Sequence, residues 1–367
     1  MDLTGIPVID HHVHALRRAH PADAMAYRAA FTESGDPLQL RDHVPHSVYY
    51  RWLLREVAAA LGCAPTEAAV LEARRAYASP AELARVLWPK ANIATLLFDT
   101  GFLREQMLSP LEMEAATGIR SFEVVRLEAL AEDLIAESRT FDELREAWRA
   151  AVGGLRAGGA VAAKSIAAYR TGLAILPVGA DLAAAAFRPG RRRLASKPLL
   201  DFLLWEAFPL LARQGLPIQF HVGYGDADAD QRLANPLHLR GVLQEPSLRD
   251  MPVLLLHCYP YVREAGILAA TYAHVAFDCS LVIPLGPAGA ARYLAEALEL
   301  APATKLLYAS DAHSWPEGHW LGARVYRKAL GEALAAAHRT GYVSAGEAED
   351  DAAAVLGGNA RRIYGLA

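Results

Sequence analysis

The sequence predicts an α/β protein, a (β/α)8 TIM barrel carrying a helical insertion after its first strand. Eight short apolar runs bounded by turn residues alternate with longer segments rich in Ala, Leu, Glu and Arg, as repeated βα units require. Several of the runs end in a histidine or an aspartate, and the carboxyl ends of barrel strands form the mouth where chemistry takes place. A chain of 367 residues fits one such unit, so residues 1–367 are expected to form a single barrel.

The first run leads from Pro7-Val8-Ile9 into Asp10-His11-His12-Val13-His14. Side chains alternate faces along a strand, so His12 and His14 are aimed the same way and make half of a divalent-metal site. The expected strands cover 8–12, 93–99, 122–127, 160–166, 218–222, 253–258, 275–279 and 306–310, with helical stretches such as 141–151, 199–214, 261–272 and 289–300 between them. About 80 residues part the first strand from the second, far beyond an ordinary connection. Residues 17–90 are therefore expected to form a helical insertion over the barrel mouth. Within it, 46–57 is amphipathic and Thr66 is placed to cap a following helix. Tyr49, Tyr50 and Trp52 either line a pocket or, as aromatics more often do, pack the insertion's own core.

The later strand ends supply the other half of the site. His221 closes one apolar run, His257 closes Val253-Leu254-Leu255-Leu256, and Asp311 follows Leu306-Leu307-Tyr308-Ala309-Ser310. Lys164 lies inside an apolar fourth strand, where an unpaired cation is costly. It can meet that burial by staying neutral, by pairing with Asp99 or Asp311, or by adding carbon dioxide to become an anionic carbamate. Each residue alone has a structural reading, as a hydrogen-bonded core histidine or a capping aspartate. The set, distributed over strands one, four, five, six and eight, points to a metal centre. Asp10 and Asp278 are placed to stand behind it.

Arg170, in the loop leaving strand four beside Tyr169, offers a planar fork for a substrate carboxylate or for a structural salt bridge. Asp226 and Asp228, after His221, suit a substrate amine or the capping of their own loop. His238, His313 and Glu317 occupy comparable loops. The basic run 188–193 reads as a solvated turn.

Hydrophobic residues make up 53% of the chain, charged residues 21%, and the net charge is -4, which indicates a packed globular protein and excludes a largely disordered one. The near-neutral balance offers no broad basic face, so nucleic acid is not expected as a partner and a small-molecule substrate is. Cys63, Cys258 and Cys279 lack Cys-x-x-Cys spacing, so neither a disulfide framework nor a thiolate zinc knuckle is expected. With no secretory leader or membrane span apparent, a cytoplasmic location is expected, and homo-oligomerisation is left open.

These segments resemble the amidohydrolase superfamily, whose metal-dependent barrels carry this residue set at these strand ends. More narrowly the chain is similar to the amidohydrolase-2 branch and its FluG-like domains, found fused to glutamine synthetase in nodulin-type proteins. Runs 164–173, 221–228, 235–240, 257–265 and 310–317 carry the closer likeness. A chain stopping at Ala367 is expected to act without fused ligase chemistry. The resemblance implies a principal metal, zinc foremost, held by His12, His14, His221 and Asp311, with Lys164 and His257 available to a second ion.

The activity implied is hydrolysis of a C–N bond, an amide or a γ-glutamyl-type isopeptide, in a small carboxylate-bearing substrate. Such an ion brings the pKa of water near 7. Asp311 then serves as ligand and general base, and His257 polarises the carbonyl or binds the second ion. Tyr169, Arg170, Asp226, Asp228 and His238 are the expected substrate contacts. The alternatives are a non-oxidative decarboxylase, which the same branch supports, and a catalytically silent metal-binding barrel.

Overall fold

The computed structural model describes residues 1–191 and 193–366. Among the described residues, eight parallel strands follow one another around a barrel: β1 (Val8–Val13), β2 (Ile93–Asp99), β3 (Arg120–Arg126), β4 (Ala160–Ser165), β5 (Ile218–His221), β6 (Val253–Leu256), β7 (Val275–Asp278) and β8 (Leu306–Leu307). The ring is completed by backbone hydrogen bonds between β1 and the segment after β8. His11 N donates to Tyr308 O at 3.3 Å, and Asp311 N donates to His12 O at 3.2 Å.

Strand alternation sorts the barrel interior into layers. Ile9, Leu97, Val124, Ala162, Leu254 and Leu307 belong to one buried apolar cluster, into which Tyr364 of the helix Asn359–Tyr364 packs. Two residues beyond Leu97, Val124, Ala162 and Gln219 stand Asp99, Arg126, Lys164 and His221, so the apolar layer gives way to charge and imidazole at the carboxyl end. A bulge in β1 perturbs the alternation. Asp10 pairs with Leu96 and Val13 with Phe98, three residues of advance against two, and the extra residue lets His11 as well as His12 turn toward buried polar partners.

Strands six and eight stop earlier than the sequence suggested, at Leu256 and Leu307. Past those points His257 and Asp311 take left-handed backbone conformations, φ +59° and +55°, which end extended pairing. Strands five and seven likewise end at His221 and Asp278, whereas β1 runs on to Val13 and β3 begins at Arg120.

Between β1 and β2 lie the helices Ala24–Arg28, Val48–Leu61, Glu67–Arg74 and Pro80–Leu87. Ser47 caps the second and Thr66 the third, their side chains accepting from Tyr50 N and Ala69 N. Tyr49 and Tyr50 are buried among Tyr27 and Phe31, so they pack the core of this segment. Trp52 faces a groove beside the amino-terminal residues. In the basic run, Arg188 binds neighbouring carbonyls, Arg193 pairs with Asp228, and Arg192 lies outside the described residues. No helix among the described residues is long and apolar enough to cross a membrane.

Candidate metal centre

The strand ends converge. His12 Nε2 and His14 Nε2 lie 3.2 and 3.3 Å from one oxygen of Asp311, Oδ1, and the three residues form a compact donor cluster. His14 Nδ1 faces the Asp99 carbonyl at 3.3 Å. A carbonyl only accepts, so the neutral ring carries its proton on Nδ1 and turns a bare Nε2 toward Asp311. Lone pairs and a carboxylate crowded together repel unless a cation joins them, and this donor set fits a divalent ion. His221 Nε2 and His257 Nε2, both buried, have no hydrogen-bond partner among the described residues, and each residue borders the same cavity.

Burial decides the charge states. It lowers His12 to about 3 and His257 to about 4, with the nearby Lys164 charge adding to both, and it holds His221 well below its ordinary value, helped by His257 and Lys164. The rings are therefore neutral near pH 7, as metal ligands must be. Asp311 is the opposite case. Burial alone raises a carboxyl, and His257, His12 and His14 hold it well below its usual range when they carry protons toward it; with their Nε2 atoms bare, a bound cation takes over that role.

Lys164 is 2% exposed and lies 2.8 Å from His12 Nε2 and 3.4 Å from Asp99 Oδ2. Burial lowers its pKa while Asp99 resists the shift. Of the two aspartates expected as partners, Asp99 is the one its amine meets. Asp99 is in turn gripped by Arg126, Nη2 to Oδ2 at 2.6 Å. Arg126 has space because residue 101 is glycine; a Cβ there would fall 2.5 Å from the Arg126 Cβ.

A cavity of about 190 Å³ opens over these groups, walled by Glu33, Arg126, Tyr169, Arg170 and Asp226. Tyr169 lies against His221, ring centres 4.2 Å apart, and Gly225 permits this: a Cβ at 225 would sit 2.0 Å from the Tyr169 hydroxyl. Arg170 pairs with Glu132 at 3.3 Å but keeps a buried Nε without a partner among the described residues. Asp226 Oδ1 accepts from Asp228 N at 2.8 Å, the loop-capping arrangement, and still borders the cavity.

Asp228 reaches the cavity wall, yet its carboxylate is paired with Arg193 at 2.9 Å on the surface. His238 is a correction. Asn235 caps the turn Pro236–Leu239, and the His238 ring binds the Arg232 carbonyl outside the cavity. Glu317 is occupied by a buried pair with Arg74, while His313 borders the cavity. Behind the site, Asp10 accepts from Ser310 N and Oγ, and Asp278 accepts from His257 N.

A family model described as amidohydrolase matches residues 114–366. The chain belongs to the amidohydrolase family. It is 34% identical over 219 residues to protein fluG of Emericella nidulans, a match covering 55% of this chain and 25% of that protein, so the chain spans about a quarter of the curated relative's length. A Lactobacillus casei ATCC 334 structure, described provisionally as a metal-dependent hydrolase, superposes with a TM-score of 0.90 at 35% identity over 99% of this chain and 96% of that one. Uronate isomerase of Thermotoga maritima, at 13% identity, TM-score 0.68 and coverage of 98% and 95%, shares the fold. This amidohydrolase is thus a hydrolase-type enzyme whose donor set suits a divalent metal.

Two charged residues of this amidohydrolase's cavity escaped the sequence. Arg126 had a signal, a charge in phase with Val124 on a strand. Glu33 had none, lying in a polar loop of the long segment after β1. Burial, with the Asp311 and Asp226 carboxylates nearby, pushes Glu33 up to about 8.

Proposed function

We propose that this enzyme hydrolyses a C–N bond, an amide or γ-glutamyl-type isopeptide, in a small substrate bearing an amino-acid headgroup. One observation carries the reading: a single small cavity over the metal centre presents both guanidinium groups, Arg126 and Arg170, and carboxyls, Glu33 and Asp226. A substrate with a carboxylate and an ammonium satisfies both sets, whereas an apolar aromatic acid leaves the carboxyls unmet.

His12, His14, His221 and Asp311 would hold the principal ion, with His257 and Lys164 beside them; the nitrogen-rich set favours zinc. The ion supplies Lewis acidity and an acidified water. Arg126 and Arg170 orient the substrate carboxylate. Burial, with the Glu33 and Asp226 charges, raises the Tyr169 pKa, so its hydroxyl stays protonated and serves as a donor to the carbonyl oxygen. Asp311, an ionised carboxylate, accepts the proton of the attacking water and delivers it to the leaving nitrogen.

The test is incubation of zinc-loaded enzyme with γ-glutamyl amides and, separately, with hydroxybenzoates. Release of amine and glutamate is expected. Carbon dioxide from the hydroxybenzoates without amine from the amides would replace this reading with a decarboxylase, and neither product would point to a silent barrel.

A further inference from the structure

Beneath the metal centre runs a buried chain of hydrogen bonds whose direction is fixed by one backbone carbonyl. Gln219 Nε2 donates to His11 O at 2.8 Å, and only the amide nitrogen can do so. With that end of the amide pinned, Gln219 Oε1 faces His12 Nδ1 at 2.9 Å and must accept, which places the His12 proton on Nδ1. Gln219 Nε2 also donates to the Tyr364 hydroxyl at 2.8 Å. The Tyr364 oxygen is then an acceptor toward Gln219, and its own proton goes to His11 Nδ1, 2.9 Å away. His11 therefore carries its proton on Nε2, which stands 3.0 Å from Asp278 Oδ2, off the line of a straight hydrogen bond.

The same aspartate sets the other end. Ser280 Oγ donates to Asp278 Oδ1 at 2.6 Å, so the Ser280 oxygen accepts from His257 Nδ1 at 2.7 Å, and Asp311 Oδ2, 3.5 Å from the same nitrogen, favours a proton there too. His257 Nε2 is left bare. His11, His12, His257, Gln219, Asp278 and Ser280 are all at most 0% exposed and Tyr364 is 2% exposed, so water does not compete for these bonds.

We propose that this chain, anchored by the His11 carbonyl and Asp278, locks His12 and His257 in the tautomer that presents an unprotonated Nε2 to the cavity. Two consequences follow. Gln219, pinned by the His11 carbonyl and facing His12 Nδ1, is a positioning residue for the cation, and Tyr364 behind it sets the tautomer of His11. His257 is built as a ligand or proton acceptor, since a bare Nε2 cannot donate to an oxyanion; of the two roles that the sequence left open, polarising the carbonyl or binding an ion, the second is the one this tautomer allows. The inference rests on the reading that His12 holds the ion, and its readouts need no turnover.

Nitrogen-15 NMR of the metal-free, full-length protein labelled at histidine tests it directly. Nδ1–H tautomers are expected for His12 and His257 and an Nε2–H tautomer for His11. An Nε2–H form at His12 or His257 would overturn the proposal. In Gln219→Leu, which leaves His12 Nδ1 without its acceptor, zinc affinity measured by chelator competition should fall about 10–100-fold, with mixed tautomers at His12. Affinity within twofold of the parent, with unchanged tautomers, would reject the role of Gln219. Should that variant not fold, Ser280→Ala reports from the other end: its His257 should lose the Nδ1–H preference, and a retained preference counts against the chain. A parent protein with the expected tautomers but no zinc binding would instead bring down the proposed function.

Discussion

At the scale of the residue, function and stability pull against each other at the strand ends. His257 and Asp311 both hold left-handed backbone conformations, which cost a non-glycine residue about 1–2 kcal/mol each. Asp311 also keeps a buried charge among bare nitrogens. Replacing it by Asn removes the charge while preserving shape, so Asp311→Asn should lower kcat/KM by about 10²–10⁴-fold, yet the metal-free variant should melt no lower than its parent. Steady-state kinetics and thermal melts check both halves. Glu33 bears on selectivity. Among the described residues it makes no hydrogen bond or ion pair, and a substrate ammonium is the partner that its place in the cavity invites. Glu33, raised to about 8 in the free protein, can give up its proton to meet an ammonium and glutamine cannot, so Glu33→Gln should raise KM for a γ-glutamyl amide about tenfold, the worth of one charged hydrogen bond, while leaving a substrate that lacks the α-amino group within about twofold. Equal losses on both substrates would remove Glu33 from substrate recognition.

At the scale of the element, the segment between β1 and β2 is a fixed wall of the site rather than a loose cover. Arg74 Nε meets Glu317 Oε1 at 2.6 Å with both side chains buried, and the guanidinium lies over Trp315 and Tyr27. Trp88 Nε1 adds a hydrogen bond to Pro316 O at 3.0 Å. Removing one charge strands the other, so Glu317→Gln should destabilise the protein by about 3–5 kcal/mol, and Arg74→Met/Glu317→Leu by markedly less. Urea unfolding measures both. This clamp was beyond reach of the sequence, because an ion pair between residues 243 positions apart leaves no local pattern. The strand-end ligands were legible for the converse reason. A histidine terminating Val253-Leu254-Leu255-Leu256 inherits its position from the apolar run, and eight such runs fix where the mouth must be. His11 was not legible, since the bulge that turns it inward depends on pairing with β2. His238 misled because motif proximity to His221 says nothing about the Asn235 cap that turns its loop outward.

At the scale of the whole molecule, the buried titrating groups make stability depend on pH with a definite sign. Among the most deeply buried groups, burial foremost lowers five histidines: His12 and His313 to about 3, His257 and His319 to about 4, and His221 well below 6.5. Among the same groups it raises three carboxyls, Asp10 to about 7, Glu33 to about 8, and Glu128 above its ordinary value; the half-buried His274 and Asp351 shift in these same directions and add one to each side. As pH falls below 6.5, the unfolded chain protonates the five histidines while the fold holds them neutral until about 4. Over the same window the fold holds protons on the three carboxyls that the unfolded chain has released. Five outnumber three, so the unfolded chain binds the excess protons and stability rises with pH between about 4 and 6.5. The metal-free protein should therefore melt at a lower temperature at pH 4.5 than at pH 6.5; an equal or higher melting temperature would contradict these charge states. Zinc sharpens the contrast. An ion that binds only the fold adds about 2.7 kcal/mol at one hundred times its dissociation constant, and protons compete with it for the same bare nitrogens. The difference in melting temperature between zinc-loaded and metal-free protein should then be several degrees at pH 7.5 and shrink toward zero by pH 5. A difference unchanged across that range would place the bound zinc on groups other than these histidines.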